Sequence, residues 1–201
     1  MIGTMARKPV AREAVLDAFE SLLIEVGERA ATLDAVARRA GVSKGGLLYH
    51  FPNKEAMISA LLERMDRLVA ADVEVMAGAP EGAAVHFIKS SLWADTPLDR
   101  VFVAATRLAE VAHEETLHRF AAVQGAWLEL LAGDVGPAMA KAVLYMGDGL
   151  YFNAMLASGP GASPPEMSGD VEGLLAAVER LRGWSPRATE PPVQARRAGS
   201  A

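Results

Sequence analysis

Apolar residues recur three and four positions apart along most of the chain, as they do on one face of an α-helix. No segment shows the strict alternation of a half-buried strand. The helical spacing covers residues 12–26, 33–40, 44–50, 54–76, 81–93, 97–113, 116–132, 137–157 and 168–183. The pattern therefore predicts an all-α protein.

Turn-forming residues separate these segments and indicate where each helix begins or ends. Gly27 is expected to end the first helix, and Pro52 excludes Phe51 from the helix before it. Later breaks are predicted at 78–80, 95–97, Gly133 and 158–166. The composition of the two ends, 1–8 and 185–201, predicts disorder.

Two glycines, Gly45 and Gly46, stand at the start of the short helix predicted for residues 44–50. Each costs a helix about 1 kcal/mol relative to alanine, so another use for them is expected. Two short helices joined by a glycine turn after a longer helix are typical of a helix-turn-helix. The second helix of that unit enters the DNA major groove by its N-terminal end, where a bare backbone can approach phosphates closely.

The faces of this short helix agree with that interpretation. Leu47, Leu48 and Phe51 fall on one side and are expected in the core. The opposite side holds residues whose side chains can contact phosphate, and it includes Lys44, Gly45, Tyr49 and His50. Spacing alone leaves an alternative open, in which the segment is an ordinary polar loop between packed helices.

The segment TLDAVARRAGVSKGGLLYHFPNKEAM, residues 32–57, resembles the N-terminal domain of TetR-family transcriptional regulators. The helical remainder resembles the layout of that family. The resemblance implies that the DNA backbone is contacted by Thr32, Tyr49, His50 and Lys54, and that the recognition helix starts with Ser43, Lys44, Gly45 and Gly46. Family members often have Thr or Ser in place of Gly46 and Tyr in place of Leu48, so one hydroxyl contact is expected to be missing.

Composition and charge divide the chain in the same way. The net charge is −5, yet residues 1–54 carry eight Lys or Arg against six Asp or Glu. A mildly basic head on an acidic body suits an anion-binding module. We therefore predict a helix-turn-helix domain at 9–54, a larger helical ligand-binding and dimerisation domain at 55–184, and a disordered tail at 185–201.

A recognition helix this short reads few base pairs, so two copies on a two-fold axis are expected to read a palindrome. The family layout places the dimer contact in the last two helices. Two apolar stripes there are the candidate interface: Met139, Val143, Met146, Leu150 and Ala154 in one helix, and Val171, Leu174, Leu175 and Val178 in the other. The alternative is that both stripes pack inside one subunit.

The middle helices hold most of the aromatic side chains, which suggests a cavity for a small-molecule effector of unknown identity. The predicted lining residues are Trp93, Trp127 and Tyr145, with His113 and Asn153 as polar contacts. The alternative is that these rings are ordinary core.

Catalytic patterns are weak. The motif HEETLH, residues 113–118, spaces its histidines five apart, so they point about 140° from each other rather than together as a zinc protease needs. The chain has no cysteine and no phosphate-binding glycine loop, and no enzyme, metal or cofactor is expected.

The function predicted from the sequence is a cytoplasmic, homodimeric repressor that a small molecule releases from its operator. No run of 18 apolar residues is present, so no membrane partner is expected. The alternative is a helical small-molecule-binding or enzymatic protein whose head contacts another protein.

Overall fold

A computed structural model describes residues 7–92, 94–110, 114–157 and 168–182. The predicted sites at Trp93 and His113 and the predicted tail at 185–201 lie outside these residues. Within them the chain is helical and has no strand, as predicted. The helices are α1 (Arg7–Val26), α2 (Leu33–Arg39), α3 (Lys44–His50), α4 (Lys54–Ala77), α5 (Ala83–Ser90), α6 (Pro97–Ala109), α7 (Glu114–Val135), α8 (Pro137–Ala157) and α9 (Ser168–Leu181).

Several predicted helix ends differ from the structure. Helix α1 begins at Arg7, inside the segment 1–8 that was predicted to be disordered, and α5 and α6 end early, at Ser90 and Ala109. Two further differences are each explained by a glycine. The break expected at Gly133 does not occur, and α7 continues to Val135. Gly136 ends it because this glycine takes the left-handed conformation, with φ of 82°. The helix expected from residue 81 begins at Ala83, because Gly82 has φ of 93° and cannot be helical.

Helices α2 and α3 each begin at a side chain that caps them. Thr32 Oγ1 accepts a hydrogen bond from Ala35 N at 3.2 Å, and Ser43 Oγ accepts one from Gly46 N at 3.0 Å. Gly41, with φ of 67°, makes the left-handed turn between α2 and α3. These local contacts fix the turn between α2 and α3.

The head, formed by α1–α3 and the start of α4, packs directly on the body. Phe19 and Leu61 from the head share one buried cluster with Leu108 of α6 and Val123 of α7. A second buried cluster joins α5, α7, α8 and α9, and the ring of Trp127 packs against both clusters. The domain boundary at residue 54 stays a prediction, since α4 contributes to both cores.

Charged side chains also connect the head to the body through hydrogen bonds. The buried carboxylate of Glu20 in α1 accepts hydrogen bonds from Arg64 Nη1 at 3.1 Å and from Arg100 Nε at 3.2 Å. Arg64 belongs to α4 and Arg100 to α6. Glu20 thus links α1 to both α4 and α6. In the described part of the chain, no helix has both the length and the hydropathy needed to cross a bilayer.

Candidate nucleic-acid interface and central cavity

Helix α3 presents one buried side and one open side. Leu47 and Phe51 are buried, as predicted, and anchor α3 in the head. Tyr49 is 67% exposed on the opposite side, and its ring meets the half-buried ring of His50 edge-on. Leu48 was expected in the core, but it is 38% exposed because the seven-residue helix is too short to bury a wide apolar stripe.

The two glycines at the start of α3 differ in what surrounds them. A Cβ added to Gly46 would lie 3.2 Å from Ser43 Oγ, so a side chain there would crowd the helix cap. A Cβ added to Gly45 would meet nothing within 4 Å. The fold therefore does not require glycine at position 45, and the open space beside it is free for another molecule.

The two predicted DNA-binding lysines are paired within the chain. Lys44 Nζ lies 3.0 Å from Asp34 Oδ1 on the surface. Lys54 Nζ donates to the Glu28 carboxylate and to the Glu28 carbonyl, both at 2.6 Å, and is partly buried. Lys54 thus also straps the start of α4 to the loop before α2. A role for either lysine at a phosphate stays a prediction.

A cavity lies in the body between α4, α5, α6, α7 and α8. Its inner cleft, of about 80 Å³, is lined by Asp72, Phe87, Ser90, Ser91, Leu98, Asp99, Phe102, Trp127, Gly147, Asp148 and Tyr151. Its outer cleft, of about 370 Å³, is lined by Phe102, Val103, Thr106, Arg107, Glu110, Phe120, Val123, Gln124, Trp127, Asp148, Tyr151 and Phe152. Four residues belong to both clefts, so the two are parts of one space.

Aromatic rings form the wall of this cavity. The ring centroids of Phe102 and Trp127 lie 5.6 Å apart, and the rings are nearly parallel at 22°. Phe87 meets Trp127 edge-on at 5.5 Å, and Phe120 meets Phe102 edge-on at 5.4 Å. Phe102 and Trp127 line both clefts, so their rings supply apolar surface where the two clefts meet.

Most polar groups in the cavity have partners. Trp127 Nε1 donates to Asp72 Oδ2 at 3.0 Å, and Asp99 accepts from the backbone N–H of Thr96 at 2.8 Å. Tyr151 donates its hydroxyl to the Asp99 carbonyl at 3.3 Å, and burial raises the pKa of Tyr151 far above its usual range. Burial also raises the pKa of Asp148.

The structure corrects two of the predicted cavity residues. Trp127 lines the cavity, and its contact with a ligand stays a prediction. Tyr145 is 66% exposed on the outside of α8, and the exposed amide of Asn153 donates to the Gly149 carbonyl at 2.7 Å. Neither side chain lines the cavity, because the side of α8 that faces the cavity is the one that carries Asp148 and Tyr151. A carboxylate in this apolar helix, three residues before a tyrosine, was a signal for that face.

The predicted dimer stripes are also corrected in part. Four of their residues are buried within one chain and cannot form a surface between two: Val143, Leu150, Ala154 and Val178. The other five, Met139, Met146, Val171, Leu174 and Leu175, are partly buried against the same core cluster. Helix α8 is apolar on more than one side, so its spacing could not single out the outer one.

Residues 15–61 match the family model described as "Bacterial regulatory proteins, tetR family". The regulator SrpR of Pseudomonas putida is 38% identical over 63 residues, which are 29% of this chain and 30% of SrpR. The matching region thus spans about a third of that relative. SrpR is an HTH-type transcriptional regulator.

Solved structures match the fold over most of the chain. NalD, the secondary repressor of a multidrug efflux pump in Pseudomonas aeruginosa, has a TM-score of 0.63 at 21% identity and covers 89% of this chain and 100% of its own. The multidrug-binding protein EbrR, solved with malachite green, has a TM-score of 0.61 at 22% identity, covering 86% of this chain and 98% of its own. Head and helical body therefore follow one known arrangement, and residues 15–61 carry the domain that the tetR-family model describes.

Proposed function

We propose that the protein is a homodimeric, ligand-responsive transcriptional repressor, whose α3 helices bind a palindromic operator and whose central cavity takes a small-molecule effector. The single observation that carries this proposal is the open space beside Gly45 at the exposed start of α3. It is supported by the regulators among the relatives, by the repressor NalD and by the ligand-bound EbrR.

The start of α3 suits a nucleic acid for two physical reasons. Unpaired backbone N–H groups and the positive end of the helix dipole favour an anion there. The absent side chain at Gly45 lets a phosphate or base edge approach the backbone, while Tyr49 offers an exposed hydroxyl. A single seven-residue helix has too small a contact surface for specific binding, so two copies are needed.

The outer side of α8 is the part of the body best suited to hold the second copy. Tyr145 is 66% exposed on this side, and a Cβ at Gly149, one turn further along α8, would meet nothing within 4 Å. Exposed residues on the neighbouring α9 include Gly173 and Ala176, whose small size allows close helix approach. Two α8–α9 pairs would then form a four-helix bundle.

Replacing Tyr145 with aspartate is expected to convert the dimer into a monomer, because the contact would bury a charge in place of an aromatic ring. The folded monomer should keep its helical circular dichroism signal, since Tyr145 is outside the core. Light scattering after gel filtration measures the mass directly. A matched change at an exposed residue elsewhere, Leu117→Asp, should leave the dimer intact. An unchanged dimer in Tyr145→Asp would rule out this face.

Helix α6 offers a route from effector to operator. Asp99 in its first turn lines the cavity, and the next residue, Arg100, donates to Glu20 in the head. An effector that displaces the first turn of α6 would therefore move α1, and with it the spacing of the two α3 helices. Such a ligand needs to bind one of the two arrangements better than the other.

The alternative is an enzyme or binding protein whose head contacts another protein. The salt dependence of DNA binding distinguishes it from a regulator. Duplex DNA affinity of the full chain is expected to fall about a hundredfold or more between 50 and 200 mM salt, because several phosphate contacts release counterions. Fluorescence anisotropy of a labelled duplex pool measures it. Affinity absent at 50 mM salt would favour the alternative.

A further inference from the structure

One carboxylate in the central cavity has no partner among the residues that the structure describes. Asp148 in α8 is half-buried and lines both clefts. Among the described residues it makes no hydrogen bond and no ion pair. Asp148 differs in this from the other acidic side chains of the cavity, which accept hydrogen bonds from groups of the chain itself.

Each of the other carboxylates in the cavity has a hydrogen-bond donor within the chain. Asp72 accepts the indole N–H of Trp127, and Asp99 accepts two backbone N–H groups and the Thr96 hydroxyl. Glu110, at the rim, accepts from Arg107 Nη1 at 3.0 Å. Arg107 is thus the one basic side chain that lines the two clefts within the described residues, and it is already paired.

An unpaired carboxylate in such a place is unfavourable for the folded protein. Moving its charge out of water costs free energy that nothing in the cavity offsets, and burial accordingly raises the pKa of Asp148. A positive group beside it would remove that cost. None of the described residues supplies one, and a cationic molecule bound in the cavity would provide it.

The aromatic side chains beside Asp148 indicate which chemical groups the ligand carries besides its charge. Phe102 and Trp127 belong to the same two clefts as Asp148 and present stacked rings. Aromatic faces attract cations as well as other rings, and the effect grows when the site is shielded from water. A neutral apolar molecule would leave Asp148 unpaired, and an anion would meet the carboxylates of Asp72, Asp99 and Glu110 as well.

We propose that the effector is a lipophilic aromatic cation, with its charge at the Asp148 carboxylate and its rings against Phe102 and Trp127. This inference rests on the proposed function and deepens it, since it names the class of effector. The volume of the outer cleft, about 370 Å³, lies within the range of small-molecule sites.

The test uses two probes of the same shape and opposite charge. Tetraphenylphosphonium and tetraphenylborate are titrated into the full chain in sodium buffer, and heat and tryptophan fluorescence are followed, since Trp127 lines both clefts. The phosphonium is expected to bind at least about tenfold more tightly than the borate, because only the phosphonium pairs with Asp148. Equal affinity, or tighter binding of the borate, would overturn the proposal.

The substitution Asp148→Asn removes the charge and keeps the shape. It is expected to weaken phosphonium binding by about tenfold or more and to raise the melting temperature of the ligand-free protein by about 1–3 °C, because the desolvated charge is gone. Glu129→Gln makes the same charge change at an exposed site on α7 outside the cavity and is expected to alter neither. Unchanged phosphonium affinity in Asp148→Asn would show that the Asp148 charge does not contribute to binding and would overturn the proposal.

Duplex binding is measured separately on the same samples. If the chain binds DNA and not the phosphonium, the effector class is wrong while the regulator assignment stands. If the phosphonium binds through Asp148 and the DNA complex is unaffected, the cavity proposal is supported and the ligand response in the proposed function is wrong.

Discussion

Replacing Gly45 with glutamate is expected to abolish operator binding while leaving the fold at least as stable. The added Cβ meets nothing within 4 Å, so the chain itself does not oppose the change. Glutamate is favoured over glycine in a helix by about 0.5–1 kcal/mol, and an acidic residue in the first turn of α3 suits the helix dipole. Thermal melting should therefore show no loss.

DNA binding is expected to respond in the opposite direction. A carboxylate at this position would face the phosphates that the bare helix start is proposed to approach, and affinity should fall by about a hundredfold or more. Anisotropy with an operator duplex measures the loss. Gly133→Glu, at an exposed glycine of α7 with nothing within 4 Å, is the matched control and should bind normally. Normal binding by Gly45→Glu would remove α3 from the interface.

Replacing Gly147 with alanine is expected to destabilise the body strongly. A Cβ at Gly147 would lie 2.3 Å from Phe87 Cε1 and 2.7 Å from Ser91 Oγ, so α5 and α8 cannot keep their present approach. Phe87 and Ser91 are buried and have little room to move. Overpacking of this kind costs about 1–3 kcal/mol, which lowers the melting temperature of a domain this size by about 2–10 °C.

Gly149→Ala, two residues further along α8, provides the comparison. Nothing lies within 4 Å of its added Cβ, and alanine is the better helix former. Its melting temperature should equal or exceed that of the unsubstituted chain, as read by circular dichroism at 222 nm. Equal melting temperatures for Gly147→Ala and the unsubstituted chain would show that α5 and α8 do not pack as closely as described.

The parts of the fold that the sequence predicts well are those fixed by neighbouring residues. Thr32 and Ser43 cap α2 and α3, and Gly41 makes the turn between them, because each acts within three or four positions of itself. The buried pair Leu47 and Phe51 follows from helical spacing in the same way. These local signals are what made the head predictable in detail.

The body depends on contacts between distant segments, and there the spacing was ambiguous. Tyr145 and Val143 lie on different sides of α8, yet both sides are apolar, so only the packing of α5 and α7 decides which one is buried. For the same reason, the sequence did not predict that Asp148 faces the cavity. Trp127 was predictable because a large ring in the middle of α7 has few places to go except the core.

The central claim, that paired α3 helices read DNA, is tested most directly by selecting bound fragments from random duplexes with the full chain. We expect enrichment of a two-fold symmetric sequence whose half-sites lie one or more helical turns apart, with Gly133→Glu enriching the same sequence and Gly45→Glu enriching none. Failure to enrich any sequence, or enrichment of the same palindrome by Gly45→Glu, would contradict it.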